Sequence, residues 1–562
     1  LGNATLPIQN LSSIPFFAAS WLRGIEVAMK RFLLVAVALI VISGTVRAQE
    51  HHHSPVGNEK LGTVSFPISC SGGAQGEFER GVALLHSFWY EEAEKSFRQI
   101  AARDATCAMA YWGQAMSIYR PLWVRLTDAD LKRGRELMQK AQAAAAKSQR
   151  ERDYIAALST LYQADEKIAY SERNVAFCNA MRTVHERYPT DHEAGVFYAL
   201  ALLASAPEGD TSLKNPREAI ALLNEIYKEE PNHPGVAHYL IHAADNPQLA
   251  ELGLAAARRY AGIAPASPHA LHMPSHIFAR LGLWPEDINS NLASVAAAKQ
   301  PSTMHIGAEH QVHAMDFLEY AYLQMGDDAK ARTIVEQLGS IRSEDVDAGL
   351  DGYLNKMLAH FPAMYALERH DWKAAEALPV RADAEPYYQA TTYWARAVGA
   401  GHLRDVAGAR EAVERHDATV EATRKTKTAF RAKYMTGDGN QARAWMLLAE
   451  GKNEEAIGLL RSVADKQDAE GKGEVELPAR EMLGDMLVEL GRTREALQEY
   501  EKSLKTDPNR FNGLYGAGHA AELSGDAAVA GRYFAQLLEN CKETVASERP
   551  ELARARAVVA EN

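Results

Sequence analysis

The chain has 562 residues, 47% of them hydrophobic and 24% charged, which excludes a disordered or fibrous protein. Its formal net charge of −12 lacks the basic excess that a nucleic-acid-binding protein carries. A single long apolar run rules out an integral transporter.

Residues 1–28 read as an upstream extension ahead of a natural start at Met29. Residues 29–48 then carry the charged Met29-Lys30-Arg31, an unbroken apolar run from Phe32 to Ile42, and the small-residue approach Ser43-Gly44-Thr45-Val46-Arg47-Ala48. This is the pattern of a secretory signal peptide cut after Ala48, and the run is too short to span a bilayer. The expectation is a periplasmic or secreted chain with no integral membrane span after cleavage. Residues 49–76 read as a flexible leader. Its His51-His52-His53 can also bind Cu(II), Ni(II) or Zn(II) beside the new terminus.

The four cysteines suit an oxidising compartment without requiring one. Cys70 lies in a Gly/Ser-rich approach and Cys107 opens a helical pattern, so a Cys70–Cys107 bridge is the expected choice among the possible pairings. Cys178 and Cys541 sit in helical patterns and are expected to be buried thiols.

From 77 to 540 apolar residues recur at three and four, in blocks broken by Gly, Pro or Asp-Pro, with almost no strand alternation. The predicted fold class is all-α. The blocks repeat. Gly491 is followed by Ala496 and Tyr500, and Gly525 by Ala530 and Phe534. Gly451 leads to Ala456 in the same way, and Phe88-Trp89-Tyr90 leads to Ala93 and Phe97.

This pattern resembles the tetratricopeptide repeat over most of 77–540. The resemblance implies an α-solenoid of stacked helical hairpins, since each hairpin is too small to bury its own apolar face. It also implies a concave groove lined by the first helix of each pair, and a protein or peptide partner. The expected divisions are N-terminal repeats 77–187, central His-rich repeats 188–380, C-terminal repeats 381–540 and a charged helical tail 541–562. Residues 121–187 fit the period least. Four segments, 81–90, 107–113, 272–278 and 478–486, further resemble a group of exported bacterial tetratricopeptide proteins, a kinship that implies no particular activity.

Nine of the twenty histidines fall between 233 and 313. The segment Pro231–His242 is matched 34 residues later by Pro265–His276, which sets His238 over His272 and His242 over His276. Each pair is spaced i,i+4 and so shares a helix face. Counted back from the turn at Gly282, the resemblance turns His269, His272 and His276 into the concave groove and leaves Leu271, Ser275 and Phe278 facing the core. The same offsets from Gly326 give His313, Asp316 and Tyr320, and alignment on Trp372 sets His360 over His272. The predicted groove wall thus carries His238, His242, Asp245, His269, His272, His276, His313, Asp316 and His360.

Helices packed ~8–10 Å apart let inward imidazoles from two hairpins share an ion. Imidazole suits Zn, Cu and Fe, either as four nitrogens or as three with an open position. The expectation is that His238, His242, His272 and His276 converge on one point, aided by a bend at Pro274. Two readings compete with a metal. The groove can be a polar docking surface for a peptide in a cell-envelope assembly, or its histidines can be ordinary helix-packing residues, as is expected for His86, His185, His416 and His519. Signs of an enzyme are few. His192-Glu193 is not followed by the second histidine of a His-Glu-x-x-His motif, and neither a phosphate-binding glycine loop nor a Gly-x-Ser-x-Gly turn is present. No nucleotide cofactor is therefore expected. The catalytic reading that remains is a metal activating water or oxygen, with Tyr320 or Asp316 as acid or base. Residues 436–439 are expected at a junction between repeats.

Overall fold

The computed structural model describes residues 59–562, apart from 123, 145, 166, 301–307, 347–350, 427, 545–546 and 562. The expected signal peptide and the His51–His53 leader lie outside the described residues. Among the described residues the chain is α-helical from Gln75 to Glu561, with two short 3-10 turns and no strand. Most helices pack on the ones before and after them, and several pack as closely on the helix two places along, as in a stacked array.

Aromatic side chains set into glycines explain how the hairpins close. Tyr500, on the helix Thr493–Thr506, is buried against Ala479–Glu489 on one side and Phe511–Leu523 on the other. A Cβ at Gly484 would come within 2.7 Å of its ring and one at Gly516 within 2.3 Å. Near the other end Phe97 is held the same way between Gly81 and Gly113. The turns inside the pairs need left-handed backbone, which Gly282, Gly326, Gly491 and Gly525 supply at φ 64° to 81°. Phe88, His370 and Arg404 take the same conformation without that freedom, at φ 53° to 58°.

The poorly periodic stretch forms three helices, Asp128–Ala143, Gln149–Leu161 and Tyr170–Arg187. The first two open on complete capping boxes, Thr127 with Asp130 and Ser148 with Glu151. Residues 436–439, expected at a junction, lie inside the helix Met435–Ala449. Gly439 serves close packing there, because a Cβ would fall 2.9 Å from the His416 ring.

The described part of the expected flexible leader is not loose. Leu61 and Phe66 are buried, and Phe66 packs on Phe78, Trp112 and Tyr154 with ring centroids 5.0–5.5 Å apart. Burying those two side chains binds the segment to the body together with the Cys70–Cys107 disulfide. Cys70 and Cys107 are disulfide-bonded, while Cys178 and Cys541 are buried free thiols.

The C-terminal repeats return to cover the central ones. Trp284 Nε1 donates to the Asn509 carbonyl at 2.8 Å, and Arg280 Nη1 to the Lys472 carbonyl at 2.9 Å. The buried Arg510 binds Glu368 and Glu481 at 2.8 and 2.7 Å and also donates to the Tyr320 hydroxyl. Among the described residues no helix is long and apolar enough to cross a membrane.

Candidate metal centre

The helices Pro234–Ala244 and Pro268–His272 begin alike. Each has proline in its first turn, and the residue before it caps a backbone N–H three positions on, His233 for Val236 and Ser267 for Ala270, both at 3.3 Å. The 34-residue sequence match is therefore also a structural one. Pro274 then divides the second segment into Pro268–His272 and Pro274–Leu281, joined at Met273.

Two triads of imidazoles result. In the first, His238 Nε2 and His269 Nε2 stand 3.1 Å apart and His242 completes the set. In the second, His272 Nε2 and His276 Nε2 stand 3.0 Å apart, with His313 from the helix Ala308–Gln324 as third member. Within each triad one nitrogen per ring lies within 4.8 Å of the others. The triads adjoin, with centroids 6.3 Å apart for His242 and His276 and 6.2 Å for His269 and His272.

This corrects the expected convergence of His238, His242, His272 and His276 on one point. The two pairs lie a repeat apart, and each closes with a ring from the next but one helix before it reaches the other pair. The rings are also not arrayed on an open groove. His238, His269, His272 and His276 are 0%, 4%, 1% and 9% exposed, under Phe88, Tyr260 and Phe317. Leu271, expected in the core, is only half-buried. Asp316 and His360 pair with each other at 3.4 Å, outside both triads. The Tyr320 hydroxyl accepts from Arg510 and donates to the Glu476 carbonyl at 3.4 Å.

Sequence reasoning missed the residues that orient the rings. His238 Nδ1 donates to the His86 carbonyl at 2.5 Å. His272 Nδ1 donates to Asn291 Oδ1 at 2.6 Å, and Asn291 is fixed in that orientation because its Nδ2 donates to the Asp287 carbonyl and carboxylate at 3.0 and 2.8 Å. His276 Nδ1 meets Asp245 Oδ2 at 3.0 Å and Glu474 Oε1 at 2.8 Å, the latter from 198 residues away. His313 Nδ1 meets the Tyr353 hydroxyl at 3.0 Å. His86, expected to be plain packing, belongs to a buried network. With His233 it holds Glu193 at 2.8 and 2.9 Å, and its Nδ1 meets the Tyr239 hydroxyl at 3.0 Å. A histidine count signals none of these partners except His86 and His233.

Burial dominates the electrostatics. It takes His238 down to about 3 and His313 to about 4, and it holds His242, His269 and His272 well below the ordinary imidazole value. His276 goes the other way. Burial opposes its charge, but Glu474 and Asp245 outweigh it and push the ring up to about 10. Burial would likewise raise Glu474, yet Arg280 and the hydrogen bonds from Asp245 and His276 keep it a carboxylate. Asp245 is raised by burial and by the neighbouring Glu474 charge. His238 and His272, neutral and spending the Nδ1 proton outward, present an Nε2 lone pair inward, the form in which histidine binds metals, whereas His276 must first give up a proton.

Residues 477–510 match the tetratricopeptide repeat family. This segment is a tetratricopeptide repeat. It contains the helices Ala479–Glu489 and Thr493–Thr506, whose glycine–aromatic packing recurs at the N-terminal end. No curated protein matches the sequence. Among solved structures, the TPR domain of P58(IPK) is 14% identical, with 66% of this chain and 99% of that one covered and a TM-score of 0.20. The human IFIT1 dimer with PPP-AAAA is 9% identical, with 81% and 94% covered and a TM-score of 0.36. Naa15/Naa10 bound to HypK-THB is 10% identical, with 87% and 92% covered and a TM-score of 0.22. At these scores the likenesses carry no argument about ligand or partner.

Proposed function

We propose that this chain is an exported tetratricopeptide-repeat scaffold that binds a transition metal, Zn, Cu or Fe, at the buried histidines of its central repeats. One observation carries the reading: His238, His272 and His276 each turn Nδ1 outward to an acceptor and Nε2 inward. Metal-ligating histidines are oriented in this way, by a carbonyl, an amide or a carboxylate on the far nitrogen. Two nitrogens bound to one ion at ~2.0–2.1 Å stand roughly 3 Å apart, which is the separation seen in both His–His pairs. His242 Nε2 is buried without a hydrogen-bond partner, a cost that a metal bond would remove.

Export rests on the signal-peptide pattern of residues 29–48, and the Cys70–Cys107 disulfide suits an oxidising compartment. The repeat surface outside the buried centre is the part suited to a protein or peptide partner. A set of three nitrogens leaves a coordination position open, through which a bound metal supplies Lewis-acid chemistry. Asp245 and Glu474 are the carboxylates at its edge.

The test uses the full chain without an affinity tag, with His51, His52 and His53 changed to Ala to remove leader binding. Elemental analysis should find bound metal. The melting temperature should rise with free metal, since an ion at a hundred times its Kd adds about 2.7 kcal/mol. The double change His238→Ala plus His272→Ala, one ring from each triad, should abolish both effects. Protein that carries no metal and shows no thermal response to Zn, Cu or Fe ends the proposal.

A further inference from the structure

We propose that the two triads hold two ions at once, as a dinuclear centre whose facing open positions take one small oxygen ligand of the water or hydroxide class. This rests on the metal reading above and deepens it. Six histidines are more than one ion of the kinds imidazole favours would take from protein in a four-coordinate site. Here they divide three and three, and His276 also stands in a set with Asp245 and Glu474. At the ring contacts between the sets the centroids are 6.2 and 6.3 Å apart. Three nitrogens per ion leave each a vacancy, and a ligand shared between adjacent vacancies lowers the repulsion of two cations.

The surroundings make the sites unequal. The first triad is walled by Phe88, which lies edge-on to His238 at 4.4 Å, and by Tyr260, stacked on it at 5.1 Å. The second has Asp245 and Glu474 directly behind His276, with the Arg280 guanidinium offsetting part of their charge. A carboxylate behind a ligating imidazole raises its basicity. The His272–His276–His313 site therefore fills first with a divalent ion, and His238–His242–His269 fills second.

Competition titration with Zn(II), on the full chain with the leader histidines replaced, should give two ions per chain in two steps at least tenfold apart. His313→Ala should remove the tighter step and His269→Ala the weaker. Where circular dichroism shows that either variant unfolds, His313→Gln and His269→Gln replace it. Loading with two Cu(II) should give an electron paramagnetic resonance intensity well below that of two independent spins, a reading that needs no substitution in either triad. One ion per chain, or two ions with full additive spin intensity, overturns the coupled pair and leaves the metal reading standing. No ion at all overturns the reading beneath it.

Discussion

The chemistry of the centre depends on single hydrogen bonds placed behind the rings. Asn291 is the clearest instance. It contributes no ligand, yet its amide fixes which nitrogen of His272 carries the proton. Asn291→Leu keeps the volume and removes the acceptor. It should weaken metal binding by about 10- to 100-fold and cost the metal-free protein about 1–3 kcal/mol for the orphaned Nδ1–H. Asn291→Asp keeps an acceptor for Nδ1 but sets an oxygen against the Asp287 carbonyl and carboxylate, so it should recover only part of the binding that leucine loses. Competition titration and denaturant unfolding read the two effects separately. The histidines themselves were legible, because a 34-residue repeat carrying His at i and i+4 is visible in one sequence. Asn291 was not, because it lies on the next helix, Trp284–Ala298, and has no spacing relation to His272 that a period reveals. Glu474 is less legible still, being brought to His276 only by the return of the C-terminal repeats.

At the scale of helices, the repeat works by letting small residues face an aromatic. A methyl at Gly516 would meet the Tyr500 ring at 2.3 Å, whereas one at Gly458, in the helix Asn453–Glu470, would meet nothing within 4 Å. Gly516→Ala should therefore destabilise by about 1–3 kcal/mol through overpacking. Gly458→Ala should stabilise by about 0.5–1 kcal/mol through helix propensity alone. Urea unfolding of both variants checks the pair, and equal effects would mean that the glycine–aromatic fit does not set the packing. The sequence displayed this device wherever a glycine turn came with it. It concealed the turn at Arg404, where an ordinary side chain takes left-handed backbone and leaves no compositional mark. Pro274 was readable as a helix break. The depth of the rings was not, because covering the inner face requires contacts such as Trp284 with Asn509 and Arg280 with Lys472, pairings of residues about 200 apart that no local pattern encodes.

At the scale of the whole molecule, that covering turns a histidine-rich chain into an acid-sensitive one. Burial holds His238 and His370 at about 3 and His313 and His416 at about 4, and it lowers His86, His242, His269, His272 and His402 as well. Unfolding returns each ring to ~6.5. Between the two values the unfolded chain binds more protons than the folded one, so stability falls as pH drops through ~6.5 toward 4. The slope is at most about 1.4 kcal/mol per pH unit for each ring. His276 has the opposite sign: with its folded value at about 10, its contribution is complete below ~6.5 and is lost progressively as pH rises from ~6.5 to 10, so it does not offset the loss on the acid side. In the metal-free chain, kept so with a chelator, the urea midpoint should rise as pH falls from 8 to 7, where the His276 contribution is being gained, and fall steeply between 6.5 and 5. Added Zn(II) should hold the midpoint up to lower pH, because an ion on the Nε2 lone pairs competes with the proton for them. A midpoint unchanged down to pH 5 without metal would mean that the rings meet water freely, and the packing of the C-terminal repeats over them would then be wrong.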